Sequence, residues 1–257
     1  MSEATTEPPP EADADAADPD WVESDWGEYE RESEAGPVLI LVDMAWDGVE
    51  GRPPHLIQAV STYEPAEAGL PSAEDFARLT DEDGRLAELA VESGRLHFVG
   101  AILHNGRRTR YFYGEEPGSG SILTRVPEVE ISRRPDPDWS VYEGRLLPDA
   151  QEYRVLDNNR LIAELEEEGV DVSAPLPLEH YFLFKTLESA EEAATALDER
   201  GFRTVDFQEV DGDFPERLAV TREDSVEAPG IHEMTLELQE YAEELDGIYD
   251  GWEMAEE

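Results

Sequence analysis

Five histidines are the side chains best suited to metal binding or proton transfer in this sequence: His55, His97, His104, His180 and His232. A zinc-protease helix needs two of them four residues apart with a glutamate beside the first, and no such pair occurs. His97 and His104 lie seven residues apart in one strand-like run. An odd separation sends side chains to opposite faces, so a regular strand cannot bring both to one metal. His180 follows Glu179, and adjacent strand residues also diverge. Each histidine therefore reads as structural rather than catalytic. Cysteine is absent, which removes thiol catalysis, disulfides and zinc–cysteine sites. Asp81-Glu82-Asp83 and Asp211-Gly212-Asp213 offer carboxylates to a hard cation, but neither has EF-hand spacing, and solvated turns explain both. The glycine-rich run at 114–121 lacks the lysine that a phosphate loop requires. Nucleophile-elbow, dinucleotide and kinase motifs are missing too. The sequence predicts no catalytic residue, no cofactor-binding residue and no metal ligand.

Charge narrows the field further. The 257 residues include 64 acids against 19 arginines and lysines, a formal net charge of −45, and Lys185 is the single lysine. Such charge with little apolar content signals disorder. Here 39% of residues are hydrophobic and fall in clear periods, so a folded, acid-coated protein is expected. Acids in this excess with almost no lysine are the halophilic pattern. Self-repulsion should loosen the chain in low salt and be screened at about 1 M, where the Debye length is about 3 Å. The same charge argues against direct nucleic-acid binding, which needs clustered bases. The densest basic cluster, Gly106-Arg107-Arg108-Thr109-Arg110, is short, and salt-bridging to neighbouring carboxylates is its expected role. No apolar run approaches the length of about 18 residues that a membrane helix needs. No secretory signal is legible at the N-terminus, so a cytoplasmic protein is expected.

Positioning falls to two expected domains behind a tail. Residues 1–20 hold seven acids, no base and a proline triplet, and read as a disordered acidic tail. Residues 21–171 read as an α+β domain, an antiparallel sheet with helices. Strands are expected at 37–46 and 55–64, and a helix at 71–94 with Ser72 as its N-cap and Phe76, Leu79, Leu86 and Leu89 on one face. Asn105-Gly106 between two strand-like runs predicts a hairpin of 95–104 and 107–114. A strand is expected at 136–149 around Trp139 and Tyr142, and a short helix at 159–169. The prolines of 170–179 mark the expected boundary. From 178 to 257 the order reads β-α-β-β-α-β, the ferredoxin-like sandwich. Its helices carry stripes at Leu187, Ala190, Ala194 and Leu197, and at Ile231, Met234, Leu238, Tyr241 and Leu245. Phe182, Phe184, Phe207 and Trp252 are expected in its core. The last strand, "IYDGWE", ends the chain in aromatics, and Tyr249 and Trp252 are expected to pin it against the helices.

The strand "HYFLF", the helix containing "AEEAATALDERGF" and the terminal "YDGWE" resemble the regulator of ribonuclease activity B family (RraB-like), small protein inhibitors of ribonuclease E. The resemblance covers about residues 178–254. It marks His180, Phe182, Gly201, Phe202, Tyr249, Asp250, Gly251, Trp252 and Glu253 as family-motif residues, expected to be structural. Residues 21–171 resemble an uncharacterised domain often fused ahead of this one, through "GLPSAEDFARL", "FVGAILHNGRRTRYFYG" and "DPDWSVYEGRLLPD". The resemblance implies a non-enzymatic regulator that needs no cofactor and binds a protein partner, a ribonuclease E-type enzyme, without direct nucleic-acid or membrane contact. The alternative is an enzyme or small-ligand-binding protein with its site in the N-terminal domain. The known inhibitors are essentially the C-terminal domain alone; this chain adds a domain and carries its acidic tail in front.

Overall fold

The computed structural model describes residues 23–66 and 69–255. The acidic tail expected at 1–20 lies outside them. The chain folds into two compact units that meet in sequence at Leu147 and Pro148.

The first unit is built on six antiparallel strands: β1 (Trp26–Arg31), β2 (Val38–Asp43), β3 (His55–Thr62), β4 (Leu96–His104), β5 (Arg107–Gly114) and β6 (Glu130–Pro135). Their order across the sheet is β1-β2-β4-β5-β3-β6. The β4–β5 hairpin closes where the sequence predicts, with His104 opposite Arg107. Asn105 and Gly106 take φ of 41° and 79°, the left-handed pair that a two-residue type I′ turn demands. Helix α1 (Ala73–Ser93) begins at Ser72, whose side chain accepts from the Asp75 amide. It buries Leu79, Glu82, Leu86 and Ala90. Phe76 is exposed rather than part of this face, because the buried stripe starts a turn later.

The buried Glu82 explains the arginine cluster. Arg110 reaches through the sheet face to Ser61 Oγ (2.6 Å), the Leu79 carbonyl (3.0 Å), Glu82 (3.4 Å) and Asp83. Arg108 pairs with Asp83 at 2.9 Å and Arg78 with Glu82 at 2.7 Å. Two of the cluster's arginines thus serve carboxylates of α1, as their setting in an acidic chain suggests. Glu82 and Asp83 are engaged in this network and Asp81 is exposed, and all three lie within α1 rather than in the solvated turn expected of them.

The strand expected at 136–149 is not formed. Asp136 instead organises a tight turn. Its carboxylate accepts from the Ser140 hydroxyl (2.6 Å) and amide (3.2 Å), the Val141 amide (3.2 Å) and the Tyr113 hydroxyl (2.6 Å). Burial opposes that charge, but the hydrogen bonds from Ser140, Tyr113 and Val141 outweigh it and hold the carboxyl below its usual range. Trp139 adopts φ 52°, and residues 142–146 wind into a π-helical turn. Both aromatics taken as strand anchors are still fully buried. Trp139 stacks on Tyr113 with centroids 3.9 Å apart, and the Tyr142 hydroxyl donates to the Asp43 carbonyl at 2.7 Å. Trp139 and Tyr142 were the signal for a strand; local capping by Asp136 decides otherwise.

The second unit contains α2 (Ala150–Glu167), β7 (Leu176–Phe184), α3 (Leu187–Glu199), β8 (Arg203–Glu209), β9 (Glu216–Asp224), α4 (Gly230–Glu244) and β10 (Ile248–Met254). The sheet order is β10-β7-β9-β8, every neighbour antiparallel. Ala190, Ala193 and Leu197 of α3 and Leu238 and Ala242 of α4 share one core with Phe182, Phe184, Leu218, Val220 and Tyr249, so both helices cover the same face. Alanines at 190 and 193 let α3 lie close to the sheet. Leu187 opens the helix and stays exposed. Edge strand β8 is exposed along its length, and Phe207, expected in the core, remains 40% exposed. Helix α2 starts at Ala150 rather than at 159, because Asp149 and Glu152 form a capping box.

Candidate functional site

The residues that carry the family motif lie on β7, β10 and the segment around Gly201. Alternation along β7 turns Leu178, His180, Phe182 and Phe184 inward. Antiparallel pairing sets Tyr249 opposite Phe182 and Trp252 opposite His180. Tyr249 and Trp252 are three positions apart, which on a regular strand would point them to opposite faces. The register shift at Asp250 reconciles them: one extra residue bulges out, and both rings enter the same side of the sheet. Gly251 follows at φ 119°, a conformation that favours glycine. The Asp-Gly between the aromatics is therefore the device that buries both. Tyr249 is 1% and Trp252 4% exposed.

Helix α2 closes over this strand. Arg154 donates to the Tyr249 carbonyl at 2.7 Å, and its guanidinium lies 4.8 Å from the Tyr249 ring centre. The Trp252 indole donates to Asn158 Oδ1 at 2.8 Å, and Asn158 Nδ2 donates to Thr235 Oγ1 at 2.7 Å. Asn158 and Thr235 are fully buried, so this short chain satisfies the polar groups that Trp252 brings inside. His180 shares a 2.8 Å hydrogen bond with the Tyr249 hydroxyl, and Phe202 meets its ring edge-on. Gly201, at φ 88°, follows α3 and leads to Phe202. Glu253 takes a hydrogen bond from the Tyr181 hydroxyl on the outer face. Asp250 is exposed.

Six of the motif residues are thus buried, while Gly201, Asp250 and Glu253 are exposed. Burial, and secondly the charge of Arg222, press the His180 pKa down to about 3. His180 is therefore neutral near neutral pH and has no exposed face for proton transfer. The unfolded chain binds a proton at His180 near pH 6.5 while the folded chain refuses it until about pH 3. Stability consequently falls as pH drops through that window, at up to about 1.4 kcal/mol per pH unit from this residue. Urea unfolding of the wild type and His180→Phe from about pH 6.5 to pH 4.5 checks this, and the variant should lose stability less steeply.

Three of the other four histidines have side-chain or backbone neighbours, and His55 Nδ1 is buried without a hydrogen-bond partner among the described residues. His97 packs on Trp46, His104 Nδ1 lies 3.1 Å from the Pro37 carbonyl, and His232 approaches Asn158. Among the described residues no group of three or more histidines and carboxylates could hold a metal, and no helix is long and apolar enough to cross a membrane.

One concave feature borders the scaffold. Asn159, Ile162 and Glu166 of α2, Val172 and Ser173 after it, and Val226 to Ala228 enclose a groove of about 550 Å³. It pairs apolar side chains with the exposed carboxylates Glu166 and Glu227. Sequence reasoning missed Arg154, Asn158 and this groove because it began the helix at 159. The available signal was Asp149 three residues before Glu152.

Two antiparallel sheets with helices define a mixed α/β protein, with a groove at the surface of its second unit. Residues 156–254 match the family "Regulator of ribonuclease activity B", and residues 24–147 match a "Family of unknown function (DUF695)". The chain is 31% identical over 108 residues to the Regulator of ribonuclease activity B of Escherichia coli (strain K12), covering 41% of this chain and 78% of that protein. It is 28% identical to the namesake from Xenorhabdus nematophila, covering 41% of this chain and 77% of that one. The chain belongs to the regulator of ribonuclease activity B family. A solved structure of an unknown protein from Galdieria sulphuraria is 12% identical over 79% of this chain and 99% of that chain, with a TM-score of 0.22.

Proposed function

We propose that this chain is a non-enzymatic regulator whose second unit binds a protein partner, a ribonuclease E-type RNA-degrading enzyme. The observation that carries the reading is the burial of six of the nine family-motif residues: His180, Phe182, Phe202, Tyr249, Gly251 and Trp252. His180, Tyr249 and Trp252 hold the fold, so function is left to the surface they support. That unit adopts the ferredoxin-like split βαβ arrangement, which its strand order supports, and it acts as a domain separate from the first. The groove beside α2 suits a partner segment with apolar anchors and arginines, held against Glu166 and Glu227. The chain works in the cytoplasm, and RNA is not its direct ligand.

Capture from lysate of the source cells in molar KCl tests this. The immobilised wild-type chain should recover a ribonuclease or a protein bound to one, identified by mass spectrometry. Glu166→Arg with Glu227→Arg should lose it, since both carboxylates are exposed and their reversal leaves the core intact. Recovery of no nuclease-associated protein overturns the assignment.

The charge of −45 is an adaptation to strong salt. Circular dichroism is expected to show more ordered structure in molar KCl than in low salt; equal order in both would remove the halophilic explanation.

A further inference from the structure

The first sheet has a second face, away from α1. Alternate residues of neighbouring strands project from it: Gln58 of β3, Arg107, Thr109 and Tyr111 of β5, and Ser132 of β6. Their strand neighbours Ile57, Ala59, Phe112 and Ile131 pack on the opposite side in the α1 core. The π-helical turn at 142–146 lies over β4, where Leu146 abuts Gly100, and it extends Arg145 towards Tyr111. Together these residues line a polar concavity of about 350 Å³, with Glu130 as its one carboxylate.

Charge gives this place its character. Several arginines of the chain meet carboxylates: Arg52 with Glu143, Arg108 with Asp83, Arg125 with Glu92, Arg222 with Asp224. Arg107 and Arg145 form no ion pair with any described carboxylate, although the chain carries 64 acids. Two guanidinium groups converge on one hollow whose floor is the hydroxyl of Tyr111, a side chain only 2% exposed. Burial raises the Tyr111 pKa despite the flanking Arg145, Gln58 and Arg107, so the phenol stays a neutral donor. Arginine forks match the two oxygens of a carboxylate or phosphate, and hydroxyls complete such a cradle.

We propose that this hollow binds a small organic oxyanion, a carboxylate or a phosphate ester, gripped by Arg107 and Arg145 above the hydroxyls of Tyr111, Thr109 and Ser132. Its size admits a metabolite and not a polymer, which is compatible with a chain too acidic to attract nucleic acid. The site lies wholly in the first unit, so it stands or falls independently of partner binding by the second.

The test is calorimetric titration of the full chain with inorganic phosphate and, separately, malonate, at constant molar KCl. At least one probe should bind. Arg145→Gln and Arg107→Gln should each weaken it about tenfold or more, the scale expected for a lost charged hydrogen bond. Arg125→Gln, which removes an exposed ion pair elsewhere, should not alter it. Both hollow arginines are exposed, so circular dichroism of the variants should match the wild type. Phosphate binding alone points to a phosphoryl ligand and malonate alone to a carboxylate. Failure of both probes, or undiminished binding by the Arg107→Gln/Arg145→Gln double variant, overturns the proposal.

Discussion

Trp252→Ala lowers the free energy of unfolding by about 3–5 kcal/mol. The side chain is 4% exposed among Leu165, Leu178, Val226 and Ile231, and the strand that carries it is the edge of its sheet. Truncation leaves a cavity and removes the indole donor from Asn158, whose amide is fully buried. Neither loss can relax easily, because α2 is held to the same strand through Arg154. Total stabilities of about 5–15 kcal/mol are usual, so the variant should be marginal or unfolded at ambient temperature. Denaturant titration in molar KCl measures the difference. Glu237→Ala serves as the control, because that exposed residue of α4 carries no packing. A wild-type-like midpoint for Trp252→Ala would show that the terminal strand is dispensable.

The second large effect concerns Arg110. It is 1% exposed and holds Ser61, Glu82, Asp83 and a backbone carbonyl at once. Arg110→Met keeps the length of the side chain but strands the buried Glu82 carboxylate. Breaking a buried pair from one side costs about 3–5 kcal/mol. The lower end is expected, since Arg78 still reaches Glu82 at 2.7 Å. Adding Glu82→Gln to Arg110→Met should recover part of the loss, as the uncompensated charge is then gone. Chemical denaturation of both single variants and the double variant yields the coupling. Simple additivity would mean that the two groups do not interact.

Much of the fold was legible where the signal is local. Asn105-Gly106 fixed a hairpin by backbone chemistry alone, and Ser72 marked a helix start. The regular spacing from Leu176 to Met254 disclosed the order of its strands and helices, and the aromatic end proved to be a paired strand. What escaped was set by contacts that sequence spacing does not encode. Asp136 caps its own turn where the aromatics Trp139 and Tyr142 suggested a strand. Phe207 sits on an edge strand where a core position was expected. The bulge at Asp250, which turns Tyr249 and Trp252 to one face, depends on the partner strand. The arginine hollow joins β3, β5, β6 and the 142–146 turn, so no window of sequence contains it. The grouping of His180 with Tyr249 could be suspected from the motif; their link through α2, Asn158 and Thr235 could not.

As proposed, the chain restrains an RNA-degrading enzyme by binding it. The most direct measurement is the rate at which the source organism's ribonuclease E-type enzyme cleaves a labelled RNA, with the purified chain added in molar KCl. The account predicts that cleavage slows as the chain approaches equimolar amounts, that the Glu166→Arg/Glu227→Arg variant slows it less, and that the chain alone leaves RNA intact. An unchanged rate at excess chain, or RNA cleavage by the chain itself, would contradict it.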